Sequence, residues 1–129
     1  MNIFFDVDET IQAYDGSLRP FVVEVFSQLR ADGHRLYVWS GARTARSVRD
    51  GVVARHGLTP YVVDCFQKPI VNPRWAWSQT GIDVQPDLCV DDREETIAAF
   101  GGIIVAPYPY PGPDEEMKRV YKMVCAACH

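Results

Sequence analysis

Residues 4–11 of the chain read Phe-Phe-Asp-Val-Asp-Glu-Thr-Ile, an apolar run that ends in two carboxylates two positions apart. The run Ile3–Phe5 predicts a β-strand rather than a helix, because it is short, apolar and rich in aromatic side chains. Side chains alternate along a strand, so Asp6 and Asp8 would face the same way if the strand continued. Two carboxylates at the mouth of a buried strand repel each other and are costly to desolvate, which a bound cation would relieve. The alternative at this point is that both aspartates form turns or cap helices.

The length and composition of the chain indicate a globular protein. Its 129 residues are enough for one hydrophobic core, and we expect a single domain over residues 1–129. No apolar run reaches the roughly 20 residues that a membrane span needs, and the first residues lack the pattern of a secretory signal. The formal net charge of −4 argues against nucleic-acid binding through overall charge. We therefore expect a cytoplasmic protein with no membrane partner.

The four cysteines fall into two groups. Cys65 and Cys89 lie inside apolar runs, which predicts buried side chains. Cys125 and Cys128 form a Cys-x-x-Cys followed by His129, a pattern shared by c-type haem attachment sites and by half of a zinc site. Because no export signal and no further metal ligands can be identified, we favour a pair of exposed, reduced thiols, in keeping with a reducing cytoplasm.

Five short apolar segments alternate with segments of helical periodicity. Strands are expected at Ile3–Phe5, Leu36–Trp39, Tyr61–Phe66, Leu88–Val90 and Ile103–Val105, and helices from Pro20 to Asp32, over Thr44–His56, over Glu94–Phe100 and from Pro113 onward, with Asp114, Glu115 and Glu116 in the first turn of the last. This alternation predicts an α/β protein, with a five-stranded parallel sheet covered by helices on both faces in a three-layer, doubly wound (Rossmann-like) arrangement.

Polar side chains stand at the carboxyl ends of these strands, where the ligand crevice of a parallel α/β sheet lies. They are Asp6 and Asp8 after the first strand, Ser40 after the second, Lys68 after the third, and Asp91 and Asp92 after the fourth. Carboxylates suit Mg²⁺, which prefers oxygen ligands. A hydroxyl, main-chain amides near a helix start and a lysine suit a phosphate group. The set therefore predicts a site for a divalent cation and a phosphate.

The same residues resemble a known family. Asp6-x-Asp8-x-Thr10, Ser40, Lys68 and Asp91-Asp92 resemble, in this order, the four motifs of the haloacid dehalogenase-like (HAD) hydrolase superfamily. The resemblance covers Ile3 to about Val105 and implies a HAD fold and a magnesium-dependent phosphatase that acts through an aspartyl-phosphate. Two positions depart from the family pattern: Val90 stands where a glycine often precedes the last motif, and Arg93 adds a charge after it.

The resemblance implies a catalytic role for three residues. Asp6 would be the nucleophile that attacks phosphorus. Asp8 would protonate the leaving oxygen and then activate water. Lys68 would keep Asp6 ionised and offset charge during transfer. Thr10 is expected to fix the turn after the strand.

The resemblance also implies two sets of binding residues. Phosphate oxygens would be held by Ser40, the amide of Gly41 and Lys68, and Arg43 would meet a second anionic group of the substrate. The Mg²⁺ ligands would be the carboxylates of Asp6 and Asp91 and the main-chain carbonyl of Asp8, while Asp92 would orient the metal's ligands through water or through Lys68.

The two places where this superfamily inserts cap domains are short here. Gln12–Arg19 is too short for a cap, and Gln67–Asp87 has room for little more than Lys68 and one helix. A capless site would be open to a large phosphorylated substrate, such as a phosphoprotein or a nucleic-acid end; alternatively, a second subunit of a homo-oligomer would close it. Trp75 and Trp77 are expected to pack on the domain rather than to stack on a substrate ring.

Two other functions stay open. A phospho-accepting receiver domain has a similar length and sheet, but its acidic pair follows the first strand and its lysine comes after the fifth. In this chain Lys68 instead precedes the acidic pair Asp91-Asp92, and Asp6-x-Asp8 opens the chain. The second is a binding module that kept the fold and lost turnover, against which the complete set of reacting residues argues.

Overall fold

The computed structural model describes residues 1–69 and 77–128, and within these residues the chain is an α/β protein with one five-stranded, all-parallel sheet. The strands are β1 Asn2–Asp6, β2 Arg35–Ser40, β3 Val62–Gln67, β4 Leu88–Asp91 and β5 Gly102–Ile104. The helices are α1 Val22–Ala31, α2 Ala45–Val48, which continues in wider π-helical turns over Arg49–Ala54, α3 Glu94–Phe100 and α4 Glu116–Ala127, with a 3₁₀ turn at Trp77–Thr80. The predicted fold class and parallel sheet are confirmed.

Helices cover both faces of the sheet. Side chains alternate along each strand, and those on either face pack into a separate buried cluster. Ile3 and Phe5 belong to the larger cluster, which contains the apolar side chains of α1, α2 and α4. Phe4 belongs to the smaller one, against which side chains of α3 and of the 3₁₀ turn pack. Trp77 packs on the body of the protein as expected, with its ring 5.5 Å from that of Phe100; Trp75 lies outside the described residues.

The strand order β3-β2-β1-β4-β5 determines where a ligand can bind. From β1 the chain moves outward through β2 to β3, then returns to β4 on the other side of β1 and ends at β5. The order therefore reverses between β1 and β4, and in open α/β sheets the ligand crevice forms at this switch point. The register pairs Phe5 with Val90, so Asp6 and Asp91 end neighbouring strands side by side.

Two helix starts differ from the sequence prediction. The first helix begins at Val22 rather than Pro20, because Phe21 has a left-handed backbone (φ 69°) that a helix cannot accommodate. The last helix begins at Glu116 rather than Pro113, so Asp114 lies before its first turn. There the Asp114 carboxylate accepts a hydrogen bond from the Glu116 N–H (3.1 Å). In both places the proline precedes the helix without starting it.

Three of the four cysteines have the predicted burial, and Cys125 is less exposed than expected. Cys65 and Cys89 are buried, and burial raises the pKa of their thiols to about 11 and about 12. Cys128 is exposed and Cys125 is half-buried, while His129 lies outside the described residues. In the described parts of the chain, every helix is too short or too polar to cross a membrane.

We predict that Gly102→Ala destabilises the protein more than Gly101→Ala. Both glycines have positive φ, 141° and 77°, but only at Gly102 would a methyl group collide with the main chain of Cys89 in β4. The expected loss of unfolding free energy is about 1–3 kcal/mol for Gly101→Ala, because φ 77° with ψ 155° lies in a region that only glycine adopts readily. The loss is larger for Gly102→Ala, because the collision with the main chain adds to the cost of its own positive φ. Urea denaturation of both variants measures the difference, and equal losses would contradict the close approach of β5 to β4.

Candidate functional site

A cavity of about 630 Å³ lies at the carboxyl ends of β1, β2 and β4. Six of the eight predicted site residues line it: Asp6, Asp8, Ser40, Gly41, Lys68 and Asp92. Of the other two, Asp91 is fully buried and Arg43 reaches the site through a contact with Asp8. Residues that are distant in sequence thus converge on the switch point of the sheet.

The Lys68 ammonium connects two of the strands. Its Nζ lies 3.1 Å from Oδ1 of Asp6 and 2.8 Å from Oδ2 of Asp91. Lys68 is held in place because it directly follows β3 and its main-chain N–H donates to the Ser40 carbonyl (2.9 Å). Burial acts to lower the pKa of Lys68, but the two carboxylates outweigh it and raise that pKa. Lys68 therefore stays charged between Asp6 and Asp91.

Three carboxylates at this position have the composition of a cation site. One oxygen from each of Asp6, Asp91 and Asp92 lies within 4.8 Å of the others. Asp6 and Asp91 are buried, and Asp92 is partly exposed. An all-oxygen donor set that is buried on one side and open to a cavity on the other fits a hard divalent ion that keeps some of its waters. The Asp8 carboxylate is not part of this group.

The charge at the site is unbalanced. Burial raises the pKa of the Asp6 carboxyl to about 7; the Lys68 ammonium opposes the rise, and the Asp91 carboxylate adds to it. Lys68 thus acts on Asp6 in the expected direction, but one ammonium does not compensate for burial and two further carboxylates. A second positive charge at the cluster would allow Asp6 to ionise at neutral pH.

Thr10 belongs to the same cluster. Its hydroxyl oxygen is buried, 3.4 Å from Oδ2 of Asp6 and 3.4 Å from Oδ1 of Asp92. The Thr10 N–H donates to the Val7 carbonyl (3.2 Å), which closes the turn after β1. The Thr10 side chain thus contacts two of the carboxylates, while a main-chain hydrogen bond closes the turn. That the threonine fixes the turn stays a prediction.

Asp8 lies where the cavity opens to solvent. Its side chain is 46% exposed, and Oδ1 is 3.1 Å from Nη2 of Arg43. The position allows the carboxylate to reach a group that enters or leaves the cavity. Arg43, predicted to meet a second anion, pairs in this structure with Asp8.

The Ser40-Gly41-Ala42 segment forms the wall of the cavity next to Lys68. Ser40 is buried at the end of β2, and its Oγ accepts a hydrogen bond from the Ala42 N–H (3.3 Å). The helix that follows begins only at Ala45, with the Thr44 side chain as its cap. The Gly41 amide therefore belongs to the loop before the helix and not to its first turn.

The polar residues at the cavity to which the sequence analysis gave no role there include Glu9, Arg93, Glu95 and Thr96. Glu95 and Thr96 lie in the first turn of α3, directly after the Asp91-Asp92 pair. Because the helix after a strand begins at the crevice, this position was a usable signal. Glu9 has a left-handed backbone (φ 65°), which nothing in the sequence indicates.

Comparisons with known proteins leave the family open. No protein-family model matches the chain, and no curated protein matches it either. The argument for function therefore depends on the geometry of the site and on the motifs themselves.

We predict that Asp6→Asn stabilises the protein in the absence of divalent cations. The folded-state pKa of Asp6 is about 7, whereas a solvent-exposed aspartate in the unfolded chain has a pKa of 3.8. Between these pH values the folded state therefore holds a proton that the unfolded state has lost. Asp6 therefore lowers stability as pH rises from about 4 to 7. At pH 8, Asp6→Asn should raise the free energy of unfolding by about 1–3 kcal/mol.

Urea denaturation in a chelator at several pH values measures this effect. The matched control is Asp50→Asn, because Asp50 is 66% exposed and should leave the pH profile unchanged. A less stable Asp6→Asn protein at pH 8 would contradict the account, since it would mean that the Lys68 ion pair outweighs the cost of burying Asp6.

Proposed function

We propose that the protein is a magnesium-dependent phosphomonoester hydrolase of the HAD type, without a cap domain, that acts through a phosphorylated Asp6. The main support is the Lys68 Nζ in contact with both Asp6 and Asp91, beside three carboxylates grouped within 4.8 Å. The order of the motifs in the sequence and their convergence on one cavity support the same function.

Asp6, Asp91 and Asp92 are the residues that would hold the cation, with the Asp8 main-chain carbonyl as an additional expected ligand. When bound, Mg²⁺ would offset the carboxylate charge and bind a phosphate oxygen. The raised pKa of Asp6 supports this assignment, because a nucleophilic carboxylate must be ionised and Lys68 alone leaves it only partly so at neutral pH.

The reaction assigned to the chain's own residues has two steps. An Asp6 carboxylate oxygen attacks phosphorus, the bond from phosphorus to the ester oxygen breaks, and Asp8 donates a proton to that oxygen. Asp8, now ionised, takes a proton from water as the water oxygen attacks the phosphorus of the aspartyl-phosphate. This step releases phosphate and restores Asp6.

The electrostatic surroundings suit the transferred group. Ser40 and the Gly41 amide stand on the cavity wall, where they can donate to phosphate oxygens, and Lys68 supplies a positive charge. The exposed position of Asp8 at the cavity mouth suits a residue that exchanges protons with a leaving group and with water. Arg43 would have to move from Asp8 to contact a second anionic group.

The strand order favours this function over a receiver domain. The observed order 3-2-1-4-5 is that of dinucleotide-binding doubly wound sheets, whereas receiver proteins have the order 2-1-3-4-5. A binding module without turnover is the remaining alternative. The presence of a nucleophile, an acid at its rim and a buried lysine in one cavity favours turnover.

The open site suggests which kind of substrate the protein could accept. A capless cavity of about 630 Å³ would admit a phosphate carried on a macromolecule, such as a phosphoprotein or a nucleic-acid end, with a second subunit as the alternative means of closure. The reducing cytoplasm is the proposed location.

We predict that the protein hydrolyses p-nitrophenyl phosphate only when Mg²⁺ is present. Asp6→Asn should lower kcat at least about a thousandfold because it removes the nucleophile. Asp8→Asn should lower kcat by about 10²–10⁴-fold because it removes the acid and base. Asp50→Asn should retain full activity. Phosphate release under initial-rate conditions measures all three.

Two results would contradict the proposal. Stable labelling of an aspartate with no phosphate released would indicate a receiver-like domain. Hydrolysis that persists at the wild-type rate in Asp6→Asn would exclude Asp6 as the nucleophile.

A further inference from the structure

Arg19 is a buried charged residue to which the proposed reaction assigns no role. Its side chain is 0% exposed. Removing a guanidinium from water costs several kcal/mol unless it is paired with a carboxylate and hydrogen-bonded throughout. A charged group retained at such a position therefore calls for a physical reason.

Asp114 supplies the paired charge. Nε and Nη2 of Arg19 lie 2.8 Å and 2.9 Å from the two carboxylate oxygens of Asp114, the bidentate arrangement that arginine favours. The Asp114 side chain is itself only 6% exposed. The pair connects the segment before α1 with the segment before α4, 95 positions later in the chain.

The remaining donors of Arg19 bind main-chain carbonyls around the site. Nη1 donates to the carbonyls of Glu9 (3.2 Å) and Thr10 (3.1 Å), and Nη2 donates to the carbonyl of Ala106. Glu9 and Thr10 form the turn after β1, and Ala106 follows β5. The guanidinium therefore holds the turn after β1 against the segment that leaves the sheet at β5.

The turn that Arg19 holds carries the reacting groups. Glu9 adopts φ 65°, which costs a non-glycine residue about 1–2 kcal/mol, so the turn needs support from its surroundings. The Thr10 hydroxyl lies 3.4 Å from Asp6 and from Asp92. Asp8 is next to Glu9 in the same turn. A shift of the Glu9 and Thr10 carbonyls would thus move groups that contact Asp6, Asp8 and Asp92.

We propose that Arg19, fixed by Asp114, is a positioning residue for the reaction, which holds the Asp8-Glu9-Thr10 turn so that Asp8 faces the cavity and Asp6 and Asp92 keep their spacing. Arg19 is not among the residues that line the cavity. It acts on Asp6, Asp8 and Asp92 through the Glu9 and Thr10 carbonyls rather than by direct contact. The role in catalysis rests on the proposed function, while the effect on the turn does not. Because Arg19 also binds the Ala106 carbonyl and Asp114, the segment from Ala106 to Asp114 helps to support the site.

Hydrogen exchange in the metal-free protein tests the effect on the turn without reference to activity. The amides of Thr10, Ile11 and Gln12 all donate to the Val7 carbonyl, so they report directly on the turn. In Arg19→Lys and in Asp114→Asn, these amides should exchange at least about tenfold faster than any loss of global stability explains, with the amides of β2 in the same variant reporting that global loss.

Arg119→Lys is the matched control. Arg119 also joins β5 to α4, through the Ile104 carbonyl and Glu116, but it is 43% exposed and does not contact the turn. Its replacement should leave exchange at Thr10–Gln12 unchanged. If Arg19→Lys does not fold, the double variant Arg19→Met/Asp114→Asn serves instead, because it removes both members of the buried ion pair and leaves neither charge unpaired.

The kinetic test separates positioning from general stability. Arg19→Lys and Asp114→Asn should lower kcat and weaken Mg²⁺ affinity by about 10–100-fold each, with KM changed less than threefold, whereas Arg119→Lys should change none of these values. Calorimetric titration with MgCl₂ alone gives the affinity, so this readout does not need turnover.

Unchanged exchange at Thr10–Gln12 in a folded Arg19 variant would overturn the proposal. Faster exchange with unchanged kcat and unchanged Mg²⁺ affinity would also overturn it, because the turn would then not position the reacting groups. A wild-type protein without phosphatase activity would instead defeat the proposed function, and the exchange and Mg²⁺ measurements would still decide what Arg19 does.

Discussion

The contact of one ammonium with two carboxylates, Lys68 with Asp6 and Asp91, is the interaction on which the site depends. Parallel pairing of β1 with β4 brings the two aspartates to adjacent strand ends, where their charges repel. Lys68, delivered by β3 and the Ser40 carbonyl, compensates for part of that repulsion. Charged groups from the ends of β1, β3 and β4 thus meet at the switch point of the sheet.

The incomplete compensation of this charge connects the fold with the proposed function. Asp92 adds a third carboxylate next to Asp6 and Asp91, and burial raises the pKa of Asp6 to about 7. A divalent cation would restore the balance and ionise Asp6, and a phosphate group would then bring negative charge back to the cavity. The arrangement is therefore suited to binding a cation and a phosphoryl group together, which is the condition for transfer to a carboxylate.

The sequence predicted which residues gather at the candidate site, but it did not predict the contacts that hold them in place. The first four strands each end at a polar group, and the carboxyl ends of parallel strands lie at one edge of a sheet. This rule was enough to predict that Asp6, Lys68 and Asp91 lie together. The strand order could not be predicted, because periodicity carries no information on which strands pair. Arg19 was missed for a related reason: its partner Asp114 is 95 positions away, and no local pattern marks a residue whose contacts are all made in the folded state. The helix starts predicted at Pro20 and Pro113 were wrong, because a suitable φ does not by itself begin a helix.

A crystal structure of the protein with Mg²⁺ and beryllium fluoride, which mimics a phosphoryl group bound to a carboxylate, tests the central claim most directly. The account predicts beryllium bonded to a carboxylate oxygen of Asp6, with the fluorides near Lys68 and Ser40 and Mg²⁺ bound by Asp6 and Asp91. Beryllium fluoride bound to another carboxylate, or Mg²⁺ bound away from Asp6 and Asp91 at saturating concentration, would contradict it.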